Sequence, residues 1–193
     1  MKLNWHNEIA HNSKTFICGY CGDKVAPNRG YSADVEGTNR RVPIYVCTSC
    51  WQPTFFDENG EQWPFGMYGD KVSEISDNDV SELYEEARKA VGSSPTAAVL
   101  ACRKILMHVA VAKEAKENLK FAEYVDYLTD NNYVPQGAKE WVTPIKKNGN
   151  DANHKIKIVT KEEAEGTLDF TTMLLKVIYE YPAKAKKINN KPE

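Results

Sequence analysis

Over the first 70 residues the apolar positions come in short runs broken by turn residues; after Ser76 they recur at helical spacing. Thr15 to Ile17 and Val42 to Val46 are of strand length, with turns expected at Pro27-Asn28-Arg29-Gly30 and Glu36-Gly37. The stretch Asp57 to Asp70, with Asn59-Gly60, Pro64 and Gly66, reads as loop and linker. Val80, Leu83, Tyr84, Ala87 and Val91 then mark a first helix, stopped by Gly92. Ser94-Pro95 supplies an N-cap and a first-turn proline for a second helix reaching about Glu117. Its buried stripe is expected to be Val99, Leu100, Cys102, Ile105, Leu106, Val109 and Ala110. A third helix spans roughly Asn118 to Thr129, closed by Asp130-Asn131-Asn132. A fourth follows Pro135, carries Ala138, Trp141, Val142 and Ile145, and breaks near Asn148-Gly149. Thr160 and Glu163 form a capping box for a fifth, which buries Ala164, Leu168, Met173, Leu174, Val177 and Ile178 and ends at Tyr181-Pro182. The basic tail from Lys184 is expected to fray.

The fold class that follows is α+β: a small β-rich domain over residues 1–70 and a mainly α bundle of about five helices over 71–193. A hydrophobic share of 41% allows a packed core, and a net charge of -2 calls for no nucleic-acid or membrane partner on global grounds. The longest apolar run, Ala97 to Val111, is broken by Arg103, Lys104 and His108, so no membrane span is expected. The start, MKLNWHNEIAHNSK, lacks the apolar centre of a signal peptide, which makes the cytoplasm the expected location.

Cysteine placement changes the picture most. Four of the five form two C-x-x-C pairs, Cys18-Gly19-Tyr20-Cys21 and Cys47-Thr48-Ser49-Cys50. With no export signal, such pairs read as metal ligands before disulfides. Zinc takes four soft ligands in a tetrahedron, and each C-x-x-C turn offers two thiolates from one knuckle. Gly19 and Gly22 suit a backbone that must turn sharply around sulfur. TFI precedes the first pair and PIYV the second, the layout of a zinc ribbon with knuckles at hairpin ends. A redox C-x-x-C would sit at a helix N-terminus in a βαβ unit, which this region does not offer. With all four positions filled by cysteine, the zinc is expected to be structural, His6 and His11 being the alternative ligands. Cys102, among small apolar neighbours, reads as a core residue.

The helical half carries a second signal. EEARKAVGSSPTAAVLACRKIL (Glu85 to Leu106), IKKNGNDANH (Ile145 to His154) and a final amphipathic helix ending in YEYP occur in this order. The segment from about Ser76 to Ala185 resembles, in these elements, the family called domain of unknown function 4145. The resemblance implies a HEPN-like helical bundle, homodimerisation, and an association with restriction and anti-phage proteins, in which a zinc ribbon in front is familiar. Many HEPN proteins are metal-independent RNases, in which a histidine assists attack by the ribose 2′-hydroxyl and an arginine stabilises the phosphate transition state. Carried over, His154 and Asn150 match that motif, while Lys146 or Lys147 stands where the arginine falls. A lysine keeps the charge but lacks the bidentate fork.

From the residues alone, Lys146, Lys147, His154, Lys155 and Lys157 concentrate positive charge that can receive phosphate. The competing reading makes Asn148-Gly149-Asn150 a helix-terminating turn with solvated lysines around it. Arg103 is expected to reach Glu85 or Glu86 and fix helix register, and His108 to be a core or edge residue. Trp51, Phe55, Phe56, Trp63, Phe65 and Tyr68 can stack on bases or hold the two halves together. Three functions follow, in order. The first is a binding or adaptor module of a phage-defence or nucleic-acid-processing system, with RNA, DNA or a defence protein as partner. The second is a dimeric RNase using His154, Asn150 and Lys147. The third is a protein-only regulator or inhibitor subunit.

Overall fold

The structure is a computed structural model that describes residues 3, 6–147 and 158–189. The chain is α+β and divides into two compact units, Met1–Tyr68 and Gly69–Glu193.

In the first unit a five-stranded antiparallel sheet has the order β1-β4-β5-β6-β7: Ile9–Ala10, Arg29–Asp34, Arg41–Val46, Pro53–Phe56 and Gln62–Trp63. A separate two-stranded sheet pairs β2 (Phe16–Ile17) with β3 (Lys24–Val25). The expected turn at Glu36-Gly37 joins β4 to β5, with Gly37 at φ 74°. The expected turn at Pro27-Asn28-Arg29-Gly30 is overturned, because Arg29 and Gly30 open β4. Gly30 pairs with Tyr45, and a Cβ there would stand 1.9 Å from the Ile44 carbonyl oxygen. The glycine admits a neighbouring strand rather than a bend. The stretch read as linker likewise contains a hairpin, Asp57 Oδ1 accepting the Asn59 and Glu61 N–H groups before β7 pairs with β6. A small core joins Phe16, Val25, Tyr45 and Phe56 to Cys18 and Cys47. Phe56 meets Phe16 and Tyr45 edge-on, at 5.2 and 5.8 Å between ring centroids.

In the second unit α2 (Pro95–Ala112) is central, packing against α1 (Asn78–Ser93), α3 (Phe121–Asp130) and α5 (Lys161–Leu175). A 3-10 stretch, Gln136–Trp141, leads into α4, residues 142–147. Among the described residues α2 alone is long and apolar enough to cross a membrane. Its apolar stripe packs against three helices, as a core helix does. The Thr160–Glu163 capping box is present in both directions. Pro95 occupies the first turn of α2 as expected, but the Ser94 side chain makes no cap bond.

Several boundaries differ from expectation for identifiable reasons. α2 stops at Ala112 rather than about Glu117 because Glu114 adopts φ 72°, with Ala115 N–H bonded to Ala110 and Glu114 N–H to Val111. That is a Schellman ending built without glycine. Asn118 at φ 61° likewise lies outside α3, which starts at Phe121. Leu100, expected inside, is exposed, as is Trp141. Pro182 does not end the last helix. A π turn over Lys176–Glu180, in which Tyr181 N–H reaches back to Lys176, precedes α6 (Tyr181–Asn189). Widening the preceding turn accommodates a residue that cannot donate to the ladder. The tail expected to fray is therefore helical to Asn189.

The π turn also sets an acid limit on this unit. Glu180, 6% exposed, accepts the Lys184 ammonium and, at 2.9 Å, the Ser73 N–H. Lys184 first, then Ser73, hold its carboxyl down to about 2 from an ordinary 4.5. A carboxyl depressed in the folded state stabilises above its unfolded value and loses that contribution as pH falls through the folded one. Wild-type thermal midpoints, followed by helical circular dichroism, are therefore expected to drop between pH 4.5 and 2 more steeply than those of Glu180→Gln.

Candidate metal centre

Each C-x-x-C pair is the tip of a hairpin: Cys18 and Cys21 between β2 and β3, Cys47 and Cys50 between β5 and β6. The two tips share one hydrogen-bond pattern. Gly22 N–H bonds Cys18 carbonyl at 3.0 Å and Cys18 N–H bonds Asp23 carbonyl at 2.9 Å. In the second tip Trp51 N–H bonds Cys47 carbonyl at 3.0 Å and Cys47 N–H bonds Gln52 carbonyl at 2.9 Å. Gly22 takes φ 76°, as a sharp knuckle requires. Gly19 serves differently: its missing side chain makes room for the Phe65 carbonyl, 2.4 Å from where a Cβ would stand.

The four sulfurs lie within 4.8 Å of one another, with Cys18 to Cys50 at 3.7 Å and Cys21 to Cys47 at 3.8 Å. All four thiols are free, and the spacing is far beyond a disulfide bond. A tetrahedron of sulfurs about 2.3 Å from a central zinc has edges of about 3.8 Å, so the arrangement fits a metal of that size. Cys18 and Cys47 are buried, and Cys21 and Cys50 are partly so. Burial pushes the thiols of Cys18, Cys21 and Cys50 up to about 11. At Cys47 burial acts the same way but is outweighed by the Cys50 and Ser49 N–H groups and the Cys50 and Cys18 thiols, so its value is lowered. Four thiolates this close repel unless a cation sits among them, which is what a divalent metal supplies. His11 stands apart from the cluster, its ring 5.3 Å from that of Tyr45.

Asn150, His154, Lys155 and Lys157 lie outside the described residues. Lys147, the last described residue of α4, is exposed, whereas Lys146 Nζ sits 2.8 Å from both carboxylate oxygens of Asp126 on α3. Glu85 receives Arg88 Nη1 at 2.8 Å, and Arg103 lies 4.6 Å over the Phe121 ring, where burial lowers its pKa. His108 is an edge residue, its Nε2 2.9 Å from Asp77, which also caps α1 through the Val80 N–H. Cys102 is fully buried, its thiol pushed up to about 12, an inert core group. Of the aromatic run, Phe56 is core while Trp51 and Trp63 are exposed, Trp63 resting on Phe65 at 4.5 Å.

One side chain, Arg88, and one backbone feature, at Trp51, escaped the sequence reading. Arg88, 3% exposed, also donates to the Gly69 carbonyl at 2.8 Å. Trp51 adopts φ 62° at the position equivalent to Gly22. The left-handed region costs a side-chain-bearing residue roughly 1–2 kcal/mol. Aligning C-G-Y-C-G-D with C-T-S-C-W-Q would have exposed that equivalence.

The fold and site thus define an α+β protein in which a four-cysteine, metal-compatible cluster in β hairpins precedes a helical unit. The chain belongs to the family described as Domain of unknown function (DUF4145), which matches residues 85–191. No curated protein and no solved structure matches the chain.

Proposed function

We propose that the protein is a binding module whose four cysteines hold one structural zinc in a zinc ribbon. In this reading the DUF4145 unit is a HEPN-like, dimer-forming bundle, and the whole engages nucleic acid in a prokaryotic phage-defence or nucleic-acid-processing system. The observation that carries the reading is the tetrahedral sulfur spacing with every ligand position occupied by cysteine. Such a closed site leaves no position for water or substrate and points to architecture rather than catalysis. Its hairpin tips present exposed aromatic side chains, Tyr20 on the first and Trp51 beside the second, which suit stacking on unpaired bases.

The test combines metal content with binding and cleavage. Purified full-length protein is expected to carry one zinc per chain and to bind labelled single-stranded RNA, tRNA or DNA at low salt without cutting it. Affinity is expected to be modest, because the chain is close to neutral. Cleavage without added metal, abolished in His154→Ala, would replace this reading with the RNase. Neither binding nor cleavage would leave the protein-only regulator.

A further inference from the structure

Beyond α5 the chain continues through the π turn into α6, so that residues 161–189 form one helical run. Eighteen residues of α-helix make about five turns, which would return Glu180 to the face of Glu162. The π turn takes up one residue more, and Tyr181 comes round instead. Burial agrees: Glu180 is 6% exposed and Tyr181 54%. Glu162, Gly166 and Met173 therefore share one outward stripe with Tyr181, Ala185 and Ile188. Helices in proteins owe most of their stability to a packed apolar face, yet no residue of α6 is buried. At the other end of the run lies a groove of about 340 Å³, lined by Trp141, Pro144 and Ile145 and by Glu162, Glu163 and Gly166. Trp141 is exposed there, and a Cβ at Gly166 would meet nothing within 4 Å. Glycine weakens the middle of a helix, and no neighbour within the chain demands it at this point.

We propose that residues 161–189 pair antiparallel with the same run of a second copy, about a two-fold axis near Lys176, so that each Ile188 seats in the other chain's groove. The inference rests on the dimer reading above and specifies the surface. Within one chain α6 cannot cover the groove, because it lies roughly 30 Å further along the same run. Charge sets the direction. Glu162 and Asp169 make the first half of the stripe acidic, and Lys184, Lys186 and Lys187 make its far end basic. Lys184 and Lys187 are engaged by Glu180 and Glu74, whereas Glu162 and Lys186 have no ion-pair partner among the described residues. The antiparallel pairing brings Lys186 to the level of Glu162 in both halves, while a parallel one would set like charges together. Each half then places an apolar side chain in an apolar groove with an ion pair at its rim. A two-fold contact of this kind is closed and stops at the dimer.

The experiment is sedimentation velocity of the full-length, metal-loaded protein over a concentration series. Wild type is expected to sediment as a dimer. Ile188→Glu is expected to raise the dimer dissociation constant about tenfold or more. Its helical circular dichroism should match wild type, because Ile188 is 69% exposed. Glu162→Lys and Lys186→Glu are each expected to weaken the dimer about fivefold, and the double reversal to restore it to within about twofold of wild type. Weakening by Ile188→Glu with no rescue by the double reversal would overturn the antiparallel register. A dimer unmoved by all of these changes overturns this surface while the dimer reading stands. Assemblies that keep growing with concentration overturn the two-fold pairing. If wild type stays monomeric, both readings fall together and the groove is left to a basic helix of another protein.

Discussion

Cys47→Ser is expected to leave the Met1–Tyr68 unit unfolded, and chelation of the metal from the wild-type protein is expected to do the same. The described buried core of this unit is small: Phe16, Val25, Val42, Tyr45, Val46, Phe56 and Met67, with two of the cysteines themselves. So small a core supplies little stability unaided. Structural zinc in small domains contributes about 10–16 kcal/mol of binding free energy, as large as the whole stability of an ordinary domain. Serine retains the size of cysteine but not the thiolate, and it leaves three sulfurs crowded within 4.8 Å without their fourth partner. Amide hydrogen exchange resolved to the β4–β5 pairing would show it: protection across Tyr31–Ile44 and Ala33–Val42 should vanish with the metal. Cys102→Ala, in the other unit, should leave those amides unchanged. Protection that survives complete removal of metal would mean that the strands fold on their own and that the metal does not hold this unit together.

What was legible before the structure, and what was not, follows from how local each signal is. The two knuckles could be read because C-x-x-C encodes its own turn, and because strand-like runs stand directly before each pair. The Thr160–Glu163 box was legible for the same reason: both partners lie within one turn. β4 was not. Proline, asparagine and glycine within four residues carry the composition of a turn, while the actual demand on Gly30 comes from Ile44, fourteen residues away in the chain. The end of α2 was hidden because its left-handed residue is Glu114, where composition leads one to look for glycine. Helix α6 was missed because the proline rule assumes an α turn before it, and a π turn relaxes that rule. Lys146 was legible as a positive charge but not as the partner of Asp126, twenty residues back on α3. The family, in contrast, was legible as an order of several short elements, and it matches residues 85–191.

Gly30→Ala is expected to be among the most damaging single changes available outside the cysteines. In β4 Gly30 pairs with Ile9 on one side and Tyr45 on the other. A methyl group would stand 1.9 Å from the Ile44 carbonyl oxygen and 3.0 Å from the Tyr45 Cα, both backbone atoms that no rotamer change can move. Relief requires β4 and β5 to separate, and β5 runs directly into Cys47. The clash therefore reaches the metal site through the strand that positions one of its ligands. A cost on the order of 4–5 kcal/mol is expected, at the exceptional end of single substitutions. Gly37→Ala makes the control. Its Cβ would meet nothing within 4 Å, and only the left-handed φ of 74° opposes it, at a cost of roughly 1–2 kcal/mol. Chemical denaturation of the metal-loaded variants, followed together with release of metal to a chromogenic chelator, separates the two effects. Gly30→Ala should release metal at a much lower denaturant concentration than wild type, and Gly37→Ala at one only slightly lower. Equal midpoints for the two variants would show that β4 and β5 can part at Gly30 without disturbing the Cys47 knuckle.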